Sequence, residues 1–499
     1  MTSISSARRN SEPGALGPLP APFCPLGPIA AAAGLLQCKG SRCQGGLMLK
    51  KLGLSALSAL FSVSLVSAVD FDRGQGLDLN SGLSIPSVPA PAQEKGIFDW
   101  FTGKPAKAPK EWTVMVFING KNNLEQYALK DMNEMELVGS TDKLNIVVEV
   151  GRIDGYSDED GDWKGTRRYL IQKDADMEKV ASKMVQDLGK TDMGDYKSVA
   201  AFGKWAKAAY PAKKYMLIVW NHGSGWEKSL KARVTKGISY DDETNNHLTT
   251  PQLGLALKEL GKVDVYGSDA CLMQMPEVDY ELKDYADYIV GSEETEPGDG
   301  YTYNTFLAPV AARPAMTPAE LAKVAVDAYS DHYKEQGTGS TQSFVKTAAL
   351  TGLAARLDAW TGAVMAAGLK AEVAAARSAA MSYAISENKD LYHLVSLVAG
   401  KTQDAAVKAA SADLTAFISK ELVMHNRYND QPDSGGGGWD DYDDWDYKRK
   451  ASKYGGKDYS ESHGIAIYLP GSAPAAGYSE LAWASATKWD EFINWSVAK

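Results

Sequence analysis

Cysteine is scarce in this chain: there are four in 499 residues. Three of them, Cys24, Cys38 and Cys43, fall in a Pro/Ala/Gly-rich opening that offers no periodic apolar face. Cys271 is therefore alone in the part of the chain that carries folded pattern, which excludes a disulfide framework there. Long apolar runs are also missing, except for Leu52–Ala68, so no bundle of membrane spans is encoded. Positive charge is in short supply. Residues 1–68 hold six Lys/Arg and one Asp/Glu, leaving 47 against 62 in the remainder, a net of −15. So acidic a body excludes nucleic acid as a partner and suits cationic substrates. Apart from His222, the histidines are His247, His332, His393, His425 and His463, too scattered for a zinc site. No repeat of 20–50 residues is present.

What is there begins with a leader. From Met48, Lys50 and Lys51 form a positive start, Leu52–Leu65 a short apolar run, and Val66-Ser67-Ala68 a small-residue cleavage site. That is the layout of a secretory signal peptide over residues 48–68. The run is short, diluted by serines and followed by Asp70 and Asp72, so a stable membrane anchor is not expected. Residues 1–47 then read as an upstream extension ahead of the true start. The expected location is outside the cytoplasm, in a periplasm or the extracellular space. Residues 69–109 are Gly/Ser/Pro/Ala-rich and read as a linker or propeptide.

Organised pattern starts at Trp112. WTVMVFING, NIVVEVG and RRYLIQ read as strands; NNLEQYALKDMNEMELVG, MEKVASKMVQDL and the stretch through Phe202–Ala209 have helical spacing. Tyr215–Trp220 and KVDVYGSD are two further strands, separated by the helix TPQLGLALKELG. Alternating strands and helices, with several strands wholly apolar, predict a parallel α/β sheet covered on both faces. The expected units are a catalytic core over 110–312, a helical, alanine-rich subdomain over 313–428 opening at Thr317-Pro318, an acidic Gly/Tyr-rich loop over 429–461, and a C-terminal strand and helix over 462–499 that completes the core. The strand SHGIAIYLP is expected to rejoin the main sheet.

Two strand ends carry the chemistry. Tyr215–Trp220 runs into Asn221, His222 and a glycine-rich turn, and the next strand runs through Ser268-Asp269-Ala270 to Cys271. Loops at the carboxyl ends of neighbouring parallel strands share one crevice, so His222 and Cys271 are expected to meet there. An imidazole beside a thiol is the minimum machinery for thiolate catalysis. A lone cysteine is more often a small buried hydrophobe, but exported proteins rarely keep an unpaired thiol without a use.

Six segments in order, WTVMVFINGKNNLE, WNHGSGW, YDDETNNHLTTPQL, SDACLM, SEETEPGDGY and HGIAIYLP, resemble the clostripain family of cysteine peptidases, within the caspase-like group. The resemblance runs from about Trp112 to the C-terminus. It implies a caspase-like three-layer α/β/α sandwich, endopeptidase activity on protein or peptide substrates with Arg or Lys before the scissile bond, His222 and Cys271 as a dyad, and activation by internal cleavage. No cofactor is required by that chemistry, and calcium stays open because some members of the family depend on it.

The remaining roles can be assigned from the residues. Gly223 lacks a side chain, so its N–H can approach a developing oxyanion together with that of Cys271. Asp269, two residues before Cys271 in an extended segment, points the same way as the thiol, and Asp299 follows the next strand. Two carboxylates in a partly dry pocket select a guanidinium or ammonium, although loop aspartates also serve simply to satisfy backbone N–H groups. The basic run Lys228, Lys231, Arg233, Lys236 offers a self-processing site at Lys236-Gly237. Two other functions share these features: an inactive caspase-like binding protein, and a transpeptidase using the same dyad.

Overall fold

The computed structural model describes residues 108–226, 237–432 and 456–499. The described residues pack as one compact unit. The leader, the linker up to residue 107 and the basic residues Lys228, Lys231, Arg233 and Lys236 lie outside the described residues.

Thirteen strands are described: β1 (Lys110–Gly120), β2 (Leu144–Arg152), β3 (Gly165–Leu170), β4 (Met184–Gly189), β5 (Ala212–Trp220), β6 (Ile238–Asp241), β7 (Asn246–Leu248), β8 (Val263–Asp269), β9 (Ala286–Gly291), β10 (Ser340–Lys346), β11 (Asn388–Asp390), β12 (Val423–Asn429) and β13 (Ala466–Tyr468). Nine form the main sheet in the order β12-β10-β9-β8-β5-β1-β2-β3-β4. The five central strands, β2-β1-β5-β8-β9, are parallel, and the strands outside them are antiparallel. The apolar run WTVMVFI of β1 is explained by two covered faces: Val114, Val116 and Ile118 enter one core, Met115 and Phe117 the other. Helices Glu125–Val138, Tyr303–Ala312 and Pro318–Gln336 cover the first face, while Tyr196–Ala209, Thr250–Leu260 and Leu350–Ala366 bury side chains in the second. This is the three-layer α/β/α sandwich that the sequence predicts.

Three expectations need correction. The segment 313–428 is not a helical excursion, because it also supplies β10 and β12, which extend the main sheet at one edge. β10 carries Ser340, Thr341, Gln342 and Ser343 where a buried strand normally shows apolar residues. Hydrogen bonds such as Ser343 Oγ to the Gly464 carbonyl (2.6 Å) and Ser292 Oγ with Thr341 Oγ1 (2.9 Å) satisfy them. MEKVASKMVQDL is not a helix: its second half is β4, paired to β3. That strand sits at the sheet edge, and Met184 and Val185 each stay 45% exposed, so the helical apolar spacing has no core to face. The late strand does not rejoin the main sheet. β13 pairs with β11 in a separate two-stranded ladder and lies against the segment after Cys271, through Ala466 N–H to the Gln274 carbonyl (3.1 Å) and Tyr468 N–H to Glu277 Oε1 (3.1 Å).

Thr317 and Pro318 start their helix as expected, with a complete capping box: Thr317 Oγ1 accepts from Glu320 N–H (3.3 Å), and Glu320 Oε2 accepts from Thr317 N–H (2.8 Å). Thr317→Ala removes one half of that exchange and should lower stability by about 1 kcal/mol, read as a shift in the urea midpoint at unchanged slope. An unmoved midpoint would show that this exposed cap contributes nothing.

Candidate active site

The register of three parallel strands sets the site. Ile118 of β1 pairs with Trp220 of β5, and Trp220 pairs with Asp269 of β8. His222 and Cys271 each follow a paired residue by two positions, so both leave the sheet at the same height. β1 and β5 flank the point where the strand order reverses, where such sheets open their crevice. Asn221 pins the histidine turn: its N–H donates to the Asp269 carbonyl (3.2 Å), its Nδ2 to the Asn119 carbonyl (2.5 Å), and its Oδ1 accepts from Tyr240 N–H (2.7 Å). Gly223 then passes directly against the nucleophile turn. A Cβ there would meet the Cys271 carbonyl oxygen at 2.4 Å and the Cys271 nitrogen at 3.0 Å. Beyond Cys271 the chain turns sharply, with Leu272 at φ 64° and its N–H on the Glu294 carbonyl (3.1 Å).

Cys271 is half-buried, and its Sγ accepts from Glu296 N–H at 3.3 Å. Burial, with the Glu296 charge second, pushes the thiol up to about 12. His222 is also half-buried, and its Nε2 lies 2.8 Å from Asn123 Oδ1. Burial pulls the imidazole down to about 4. Desolvation opposes charge on both groups, so burial favours the neutral thiol and the neutral imidazole.

Asp269 is 4% exposed; its Oδ1 accepts from Tyr301 N–H (3.1 Å) and its Oδ2 from Tyr303 O–H (2.8 Å). Gly300 lets that loop close, since a Cβ there would meet Asp269 Oδ1 at 2.6 Å. Burial raises Asp269 to about 7. Asp131, Glu134 and Glu296 share its surroundings, and burial raises all three, with the Asp269 charge adding to the effect on Asp131 and Glu296. Trp220 Nε1 donates to Asp131 (2.6 Å), Tyr303 N–H to Glu134 (2.9 Å) and Gln342 Nε2 to Glu296 (3.2 Å). Asp299 behaves differently. It forms an ion pair with Lys130 (2.5 Å) and has His332 at 3.7 Å and Gln336 at 3.4 Å. His332 and Lys130 hold it well below the usual carboxylate range. Its charge is matched within the protein, whereas Asp269 sits in an acid cluster.

The profile of the clostripain family matches residues 116–495. The chain belongs to the clostripain family. Clostripain of Hathewaya histolytica is 29% identical over 214 residues, 38% of this chain and 40% of that protein, so the match spans less than half of that relative. A secreted C11 cysteine protease from Bacteroides thetaiotaomicron, solved with an irreversible peptide inhibitor, superposes with a TM-score of 0.55 at 21% identity over 76% of this chain and 100% of its own. An inactive zymogen C11 protease from Parabacteroides distasonis gives 0.53 at 17% identity, over 76% and 99%. These structures share the caspase-like sandwich with the clostripain-family chain described here.

Several site residues were not singled out from the sequence: Asn123, Lys130, Asp131, Glu134 and Glu296. Asn123 follows the end of β1, as His222 and Cys271 follow β5 and β8, so the strand-end rule applies to it too. Asp131 and Glu134 lie on a helix that also buries Asn133 and Glu136, which apolar spacing does not reveal. Gly237 is buried in the frame, exchanging hydrogen bonds with Ser224 (N–H to Oγ 3.2 Å; carbonyl from N–H 3.0 Å), while Lys236 is outside the described residues. In the turn between β2 and β3, which carries Asp158, Glu159, Asp160 and Asp162, Asp160 accepts from Val180 N–H (3.1 Å) and Asp162 pairs with Lys164 (2.6 Å). Among the described residues no group of three or more His, Cys, Asp or Glu is arranged to hold a metal ion.

A neutral resting pair predicts how the thiol titrates. Because Cys271 is raised to about 12, its thiolate fraction should climb about tenfold per pH unit from pH 7 to 10. Alkylation by iodoacetamide, followed at Cys271 by mass spectrometry, should rise with the same slope. A plateau beginning below pH 8 would show an imidazolium–thiolate pair instead.

Proposed function

We propose that this chain is an exported cysteine endopeptidase that cleaves after Arg or Lys through Cys271 and His222, and that it processes itself within the basic loop ending at Lys236-Gly237. The observation that carries the reading is the shared height of the two strand ends, fixed by the Trp220–Asp269 pairing. Family membership gives peptide-bond chemistry as its context.

The reaction follows from the residues. As the substrate carbonyl reaches Cys271, His222 takes the thiol proton while Sγ bonds to the carbonyl carbon and the C=O π electrons move to oxygen. Proton transfer at that moment suits a pair whose resting charges are suppressed by burial. The N–H groups of Gly223 and Cys271 would stabilise the oxyanion. Collapse re-forms the carbonyl, breaks the C–N bond and sends the imidazolium proton to the leaving amine. Water then hydrolyses the thioester by the same steps, with the thiol leaving. The chemistry needs no cofactor; a calcium dependence is read by adding a chelator to the assay below.

Specificity follows from the buried acids. A guanidinium or ammonium entering beside Asp269 favours its charged form, drawing its titration down from about 7. The body's net charge of −15 adds long-range attraction. Asp299 is already neutralised by Lys130 and so is assigned the smaller share. Export rests on the leader at 48–68, and among the described residues no helix is long and apolar enough to cross a membrane.

Residues 69–499 should cleave fluorogenic peptides with Arg or Lys before the bond and spare those with Asp or Leu. Cys271→Ala should remove the activity, and His222→Ala should lower it by at least ~10³-fold. A charge-assisted pair contributes roughly 1.5–3 kcal/mol, so Asp269→Asn should lower kcat/KM for Arg substrates by about 10- to 150-fold and leave Cys271 alkylation intact. Unchanged Arg cleavage in Asp269→Asn would place the pocket elsewhere. Turnover by Cys271→Ala would end the nucleophile assignment.

A further inference from the structure

We infer that Asn123 is a positioning residue for His222: its amide oxygen holds the imidazole as the Nε2–H tautomer and so leaves Nδ1 as the base for the Cys271 thiol. The inference rests on the dyad reading above and adds a third member to it.

The contact is Asn123 Oδ1 to His222 Nε2 at 2.8 Å. An amide oxygen only accepts, and a neutral imidazole carries one N–H and one bare nitrogen. The ring nitrogen facing Oδ1 therefore carries the hydrogen, and the other must be bare. Nδ1 is the nitrogen nearer the main chain, and the main chain next to it, at Gly223, is packed on the Cys271 backbone. On the dyad reading, the bare nitrogen is the one that would take the thiol proton.

Asn123 is held as a preorganised group requires. β1 and β5 are in register up to Ile118 and Trp220, which brings the turn after β1 beside the turn after β5. Within that turn, Asn122 Oδ1 accepts from Leu124 N–H (2.9 Å) and its Nδ2 donates to the Tyr240 carbonyl (2.8 Å). Lys121 is buried, with Nζ on Glu243 (2.9 Å), near Asp241 (3.6 Å) and bonded to the Thr191 carbonyl. The residues on both sides of Asn123 are therefore tied down.

The choice of amide over carboxylate also has a physical reason. Glu294 and Glu296 already stand near the thiol and disfavour its ionised form. A third carboxylate at position 123 would add to that field and would draw a proton onto the imidazole, removing the base. An amide orients the ring without adding charge.

Three measurements on residues 69–499 test this. Nitrogen NMR of the parent, with the His222 signals assigned by their loss in His222→Ala, should show protonated Nε2 and bare Nδ1 at pH 7. Asn123→Leu keeps the size and removes the acceptor; kcat on an Arg peptide should fall on the order of 10²-fold with KM within about threefold, and the tautomer should become mixed. Asn123→Asp restores the acceptor with a charge. It should recover most of kcat above pH 8, while the acid limb of kcat/KM moves up by at least about one pH unit, because a base must be neutral and the carboxylate raises the pH at which the imidazole protonates. A protonated Nδ1 in the parent would overturn the inference. So would parent-like turnover by Asn123→Leu, or an Asp variant as impaired as the Leu variant with its acid limb unmoved, which is what a purely structural residue gives. If Asn123→Leu fails to fold, the parent tautomer and the Asp variant still decide. The tautomer is readable whether or not the parent cleaves peptides, so a silent parent with Nε2–H would count against the peptidase reading and not against Asn123.

Discussion

Parallel pairing of β1, β5 and β8 is the constraint on which the rest of this molecule depends. A parallel ladder fixes neighbouring strands residue by residue, and here it ends β5 and β8 at one level, with β1 running only two residues further, to Gly120. Everything placed just past that level, Asn123, His222 and Cys271, is thereby delivered to a common volume without any contact having to recruit it. The helices on both faces serve the same end, because the central strands of a sheet covered on both sides are mostly apolar and turn polar where they run out. Asn221 and Gly223 complete the arrangement locally, one by tying the histidine turn to its neighbours and the other by allowing two backbones to touch.

Burial then decides the electrical state of the site. The thiol and the imidazole are both driven toward neutrality, and the four carboxyls Asp131, Glu134, Asp269 and Glu296 all hold their protons more tightly than carboxyls in water. A site of this kind suppresses its own charges. Arrival of a cation beside the acids, and of a carbonyl beside the thiol, would change that balance, so recognition and chemistry both work against the same desolvation. Asp299 shows the contrast: Lys130 and His332 favour its charged form.

The central strands were legible because both their faces are buried, so WTVMVFI and YMLIVW read as apolar runs with abrupt polar ends. Those ends located His222 and Cys271 together. The sheet edges were not legible, for a different reason on each side. β4 is an exposed edge whose apolar residues contact little, and β10 fills a buried position with Ser and Thr satisfied by distant partners. Neither leaves the alternation that pattern reading depends on. Within the site, Asp269 was singled out by its spacing to Cys271, and its burial among other acids was not legible, because Tyr301 and Tyr303 reach it from more than thirty positions later. The fate of Asp299 was not, because Lys130 reaches it from 169 positions earlier in the chain. Glu296 meets Cys271 through backbone, which no side-chain pattern records.

The segment that follows the proposed nucleophile is clasped by a strand made much later. β13 donates backbone hydrogen bonds to Gln274 and Glu277, the second contact joining residues 191 positions apart. During synthesis, the turn bearing Cys271 therefore leaves the ribosome long before the strand that braces it. The crevice can take its final shape only once the far end of the chain has been made and threaded into place. A nascent chain is in this way kept from having a finished site while its own unfolded backbone is still within reach.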